Sequence, residues 1–264
     1  MSDPSGKALL ALACITLSML ISQVNAQPTP IAIPEISYNP TLDQLMSDWH
    51  LTQQMTVLDM KENSNAPVAA KVAIGYDANK MDFILDYTSQ TSPTVPSAFV
   101  NIAVDKINEA SRTPTNETFL IICVWVPSSN QRSATWYTGY SSGGFSGFNH
   151  SINLPSGVAW TSTFNKTYLN QEQDHVAFAV QIPDSIMGSG NAEGKYGIYL
   201  AMGLDNATQV PGYPADSEYF SPQTYGSFTT QQPIPEFTSA TELLAGVAIL
   251  LVAAFLKVKR KQVS

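Results

Sequence analysis

The stretch KMDFILDY, residues 80–87, decides how the middle of this chain is read. Met81, Phe83, Leu85 and Tyr87 alternate with Lys80, Asp82, Ile84 and Asp86. A side-chain period of two belongs to a strand with one face in a core and the other turned away from it. The same alternation recurs in both directions. Val176, Phe178, Val180 and Ile182 alternate with His175, Ala177, Ala179 and Gln181, and Tyr196, Ile198, Leu200, Met202 and Leu204 follow suit. Residues 68–76 and 99–105 alternate too, while 119–126 is apolar on both faces and is predicted to be a central strand. Turn-forming clusters at 77–79, 127–130 and 141–144 separate the runs, and no long amphipathic helix lies between them. The pattern predicts an all-β chain, an antiparallel β-sandwich of jelly-roll type over residues 41–229. One short helical turn is expected at Asp184–Met187, after Pro183.

The two ends have a different character. Lys7, an apolar run from Ala8 to Ile21, and small residues at Val24 and Ala26 make residues 1–26 a signal peptide. Residues 27–40 hold four prolines and read as an extended lead-in. Residues 237–256 carry one charge, Glu242, and are long enough for a transmembrane helix. Lys257, Lys259, Arg260 and Lys261 follow, which sets residues 257–264 as a basic cytoplasmic tail and the rest outside. The expected location is therefore the cell membrane, single-pass, with an extracellular N-terminal domain. Residues 230–236 are the linker, and Pro235, Glu236 and Phe237 close it. A Pro-Glu-Phe motif before an apolar helix and a basic tail resembles the PEF-CTERM sorting signal of archaeal surface proteins. That resemblance implies an archaeosortase-like processing enzyme as a partner and a helix exchanged for another anchor.

Between residues 27 and 236 there are 19 Asp and Glu against 8 Lys and Arg. Such an acidic domain repels phosphate backbones, which excludes nucleic acid as a partner. Of the two cysteines, Cys14 leaves with the signal peptide, so Cys123 has no intrachain partner and the domain must stand on a packed core. Asn116, Asn149, Asn165 and Asn206 head Asn-x-Ser/Thr sequences and are glycosylation candidates.

The order of the pieces is also informative. Asp48-Trp49 is expected to open a strand, followed by AIGYDANKMDFILDYTSQ, AFVNIAVDKIN, HVAFAVQIP and KYGIYLAMGLD. This order resembles the DOMON-like superfamily and, within it, the family 9-like carbohydrate-binding modules. In this chain the acid expected before the Ile-Pro strand is displaced to Glu172 and Asp174. The resemblance implies a β-sandwich that binds sugar, haem or another small ligand, or serves as a surface module.

No nucleophile elbow, His-Glu-x-x-His or phosphate loop occurs, so no catalytic residue is assigned. Asp82 and Asp86 share a strand face about 13 Å apart, too wide for a hydrolytic pair on a straight strand, and read as a solvated or ligand-facing acidic strip. Residues 132–160 bring Trp136, Tyr137, Tyr140 and Trp160 together among Gly and Ser, as a polar loop with flat rings for pyranose stacking. Asp82, Asp86, Asn101 and Gln181 are the candidate hydrogen-bonding partners from neighbouring strands. The opposing reading puts Trp136 and Trp160 in the core. Haem would need two converging axial ligands from Met81, Met202, His150 and His175, and no Cys-x-x-Cys-His is present for covalent attachment. No metal site is assigned. Three functions follow in order: a surface-anchored, non-enzymatic module for a glycan or envelope polymer; a structural or interaction protein of the envelope; and a haem-binding electron-transfer domain.

Overall fold

A computed structural model describes residues 30–48, 53–77, 79–88, 96–108, 111–139, 148–151, 153–167, 169–188, 190, 194–204, 210–218 and 220–230. The expected signal peptide, the motif Pro235–Phe237, the transmembrane helix and the basic tail lie outside these residues. Among the described residues, no helix is long and apolar enough to cross a membrane.

Thirteen strands are described: β1 Ile31–Ala32, β2 Thr56–Lys61, β3 Val68–Tyr76, β4 Lys80–Asp86, β5 Ala98–Asp105, β6 Thr118–Val126, β7 Gln131–Gly139, β8 Phe148–Ser151, β9 Ala159–Thr167, β10 Asn170–Pro183, β11 Lys195–Leu204, β12 Gly212–Tyr213 and β13 Gly226–Thr229. They form one curled sheet in the order β8-β7-β6-β5-β11-β12-β2-β3-β4-β10-β9, with β13 on β11 and β1 on β13. All these pairings are antiparallel except β1 with β13. The two-residue β12 bridges the two halves of the sheet, so the curl closes them into a sandwich over a shared core.

The alternation read from the sequence fills that core. Met81, Phe83 and Leu85 of β4, Val176, Phe178 and Val180 of β10, and Ile198, Leu200 and Met202 of β11 are all buried in one cluster. Cys123 lies fully buried with them, its thiol pushed up by burial. The opposite face of β3, β4 and β10 is not left to water. A second cluster covers it, built from Ala73, Ile84, Ala177 and Ala179 with Ile36, Leu45 and Met46. The small residues on the sheet admit the lead-in. A Cβ at Gly75 would collide with the Ile36 side chain, so glycine lets the chain pass close.

Leu45 and Met46 belong to α1, Leu42–Ser47, a helix the sequence pattern did not predict; the strand expected to open at Asp48-Trp49 would run into residues 49–52, outside the described residues. A capping box starts it: Thr41 Oγ1 accepts from Gln44 N at 3.3 Å, and Gln44 Oε1 accepts from Thr41 N at 2.8 Å. The predicted turn after Pro183 is α2, Asp184–Met187. A second departure concerns residues 132–160, expected as one polar loop. They contain most of β7, all of β8 and the first residues of β9.

Candidate functional site

A concavity lies where the lead-in crosses the ends of β4, β9 and β10. It is an open cleft of about 650 Å³ lined by Asn39, Pro40, Thr41, Leu42, Asp43, Lys80, Trp160, Thr161 and Gln181. Register explains the meeting. Gln181 pairs with Asp82 on β4 and with Ala159 on β9, and Trp160 and Thr161 come next along β9.

One carbonyl holds the wall of the cleft. Pro40 O accepts from Gln181 Nε2 at 2.9 Å and from Lys80 Nζ at 3.0 Å. Gln181 Nε2 also donates to Asp82 Oδ1 at 2.8 Å. Both amide donors are thus engaged, which leaves Oε1 as the group Gln181 can offer a ligand, and Lys80 keeps two further N–H donors. Tyr38 closes the segment by donating to Asp48 Oδ2 at 2.5 Å. Trp160 is half-buried, stacks on Phe178 with ring centroids 6.1 Å apart, and lines the cleft.

Behind the cleft sits a group of acids. Asp82 is fully buried, and its Oδ2 has no hydrogen-bond partner. Burial pushes its carboxyl up to about 7; the Gln181 bond and nearby Lys80 oppose that shift, and Asp77 adds to it. Asp77 takes two backbone N–H bonds through Oδ1, from Asn79 at 2.8 Å and Lys80 at 3.1 Å, and leaves Oδ2 without a partner. Asp184 is also raised, by burial and by Asp77, against a hydrogen bond from Tyr76. No three acid, histidine or cysteine side chains among the described residues are placed to hold a metal ion.

Of the residues singled out by sequence, Trp160 and Gln181 line this cleft and Asp82 stands behind it. The others lie elsewhere. Trp136 is 7% exposed, stacks on Phe119 at 4.5 Å and belongs to the main core. Tyr137 and Asn101 are on the outer face of the other half of the sheet, Tyr137 packing beside Leu120, Tyr199 and Tyr225. Asn101 Oδ1 is buried there without a hydrogen-bond partner. Tyr140 falls outside the described residues.

The acidic strip is corrected outright: Asp82 and Asp86 are both fully buried, not solvated. Asp86 Oδ2 bonds His175 Nε2 at 2.8 Å and accepts from Thr167 Oγ1, in a cluster closed to solvent. His175 therefore sits on the sheet face opposite the core that holds Met81 and Met202, and these three do not converge as haem ligands. The His150 side chain lies outside the description. Asn116, Asn149 and Asn165 are exposed, and Asn206 is outside the described residues.

Residues 39–43, which build the outer wall, escaped the sequence reading. They lie about 140 residues from Gln181, and their only local signal was the Thr41/Gln44 capping box.

No protein-family model matches the chain, and no curated protein matches it. Among solved structures it is similar to a family 9 carbohydrate-binding module from Caldicellulosiruptor kristjanssonii in complex with cellotriose. That likeness has 9% identity and a TM-score of 0.46, and covers 78% of this chain and 97% of the other. A family 9 module from the same organism in complex with glucose is similar at 11% identity and a TM-score of 0.44, over 77% and 98% of the two chains.

Proposed function

We propose that this chain is a non-enzymatic, surface-anchored module that binds carbohydrate in the cleft between the lead-in and the β9–β10 edge. One observation carries the reading: an amide oxygen not used within the domain, an ammonium, hydroxyls and the edge residue Trp160 line a single open cleft. Gln181 offers an acceptor, Lys80 donors, and Thr41 and Thr161 hydroxyls, while Trp160 reaches the cleft at the β9 edge with its ring turned onto Phe178. A pyranose needs this combination, because its C–H face packs on an aromatic surface while its hydroxyls both donate and accept. The nearby carboxylates do not make a hydrolytic pair, since Asp82 and Asp86 are each sealed from the cleft. Residues 237–256 supply the tether and hold the domain outside the membrane.

The test is a panel of neutral oligosaccharides read by calorimetry beside a melting curve. Trp160→Ala is expected to weaken binding by about 1–3 kcal/mol, as loss of a stacked anchor does. Because Trp160 also packs on Phe178, Thr161→Arg serves as the second variant: it fills the cleft from an edge strand and should abolish binding at an unchanged melting temperature. A parent protein that binds nothing on the panel, or a Thr161→Arg variant that binds as the parent does, refutes the site.

A further inference from the structure

Strand register places the cleft relative to the point where the chain leaves the domain. Thr229 ends β13, and its carbonyl accepts from Ile33 N at 2.7 Å. The next residue, Pro34, accepts from Tyr76 N at 3.0 Å. Tyr76 pairs with Met81 on β4, and Met81 pairs with Ile182 on β10, the neighbour of Gln181. The lead-in is thus a rung between the last strand and the strands that carry the cleft. Four strand spacings separate Thr229 from Ile182, roughly 20 Å along the curled sheet. The start of β4, the end of β10 and the start of β9 share the end of the sandwich at which β13 finishes. The turn at 127–130 between β6 and β7 marks the opposite end, because β6 pairs with β5 and β5 with β11 in antiparallel register.

Residues 230–236 separate this end from the expected membrane helix at 237–256. Seven residues span at most roughly 25 Å even when fully extended. With the expected anchor, a tether that short favours the orientation in which the cleft end of the domain faces the bilayer and the 127–130 end points away.

We propose that the cleft takes the saccharide head group of a glycolipid in the membrane to which the chain is tethered. This rests on the carbohydrate reading and on the C-terminal anchor. The charge balance favours a neutral sugar over a phosphate head group. The cleft pairs one cation, Lys80, with one acid, Asp43, and the Lys80 ammonium is already turned onto Pro40 O. The surrounding domain carries 19 acids against 8 bases, which disfavours anionic ligands.

The test uses the mature chain, residues 27–264, reconstituted in phosphatidylcholine vesicles. Because Cys14 leaves with the expected signal peptide and Cys123 is buried, a donor dye can be placed at Thr161→Cys or at Ser129→Cys alone, and a lipid-linked acceptor dye is added. Transfer is expected to be stronger from position 161 than from 129; equal or reversed transfer overturns the orientation and the proposal with it. In a second arm, unlabelled protein is melted in vesicles with and without a neutral dihexosyl diacylglycerol, and with the same disaccharide free in solution. The proposal expects a higher melting temperature with the glycolipid than without it, and no such shift in Thr161→Arg. A shift with the free disaccharide alone refutes the glycolipid and leaves the sugar site standing. A shift with neither refutes the sugar site itself.

Discussion

Gln181 joins Asp82 to Pro40: its amide nitrogen lies 2.8 Å from Asp82 Oδ1 and 2.9 Å from the Pro40 carbonyl. A fully buried carboxyl is thereby connected to the wall of the cleft through a single side chain. The carboxyl is raised by burial, and the side chain that holds it also lines the cleft.

Asp82 gives the domain a pH dependence of definite sign. Its carboxyl is raised from 3.8 to about 7, chiefly by burial. A raised acid favours the folded state when protonated, so its contribution is fully present below about pH 4 and is lost as pH rises to about 7. The loss is of the order of 4 kcal/mol, since each unit is worth about 1.4 kcal/mol. Urea midpoints measured from pH 4 to pH 8 should fall across this window more steeply in the parent than in Asp82→Asn. Identical slopes would show that Asp82 is not the titrating group.

Trp136 answers to a different test from Trp160. Its ring stacks on Phe119 at 4.5 Å inside the core, so Trp136→Ala should cost about 3–5 kcal/mol of stability. Where the variant still folds, its affinity for any glycan that the parent binds should be unchanged. A normal melting curve together with lost binding would mean that Trp136, and not Trp160, carries the stacking surface.

His175 and Asp86 form a buried pair that should behave as one unit. His175→Ala leaves the Asp86 carboxyl with the Thr167 hydroxyl alone, in a site closed to water, and is expected to cost about 3–5 kcal/mol. The double variant His175→Ala/Asp86→Ala should cost less than the two single changes added together. Strict additivity in chemical denaturation would show that the two side chains are not coupled.

Sequence alone settled the elements whose side chains alternate. β3 and β4, and much of β5, β6, β10 and β11, were legible because a half-buried strand must place apolar groups at every second position. The short helix after Pro183 was legible for an equally local reason, and α1 was not, although Thr41 and Gln44 carried its capping signature. In β7 the alternation of Arg132, Ala134 and Trp136 was hidden by the polar Gln131, Ser133 and Thr135 between them, and by the glycines and serines that follow. A loop and a strand near the margin of a sheet share that composition; pairing with β6 on one side and β8 on the other separates them.

The candidate site divides along the same line. Residue type was enough to pick out Trp160, Gln181 and Asp82, because rings, amides and carboxyls advertise what they can do. Only the folded chain could decide that these three belong together, that Trp136 and Asp86 are buried elsewhere, and that residues 39–43 form the facing wall. Period two says that a side chain lies on one face or the other. Which other segment of the chain covers that face depends on strand order and on the long-range closure of the sheet, and neither leaves a trace in any local stretch of sequence.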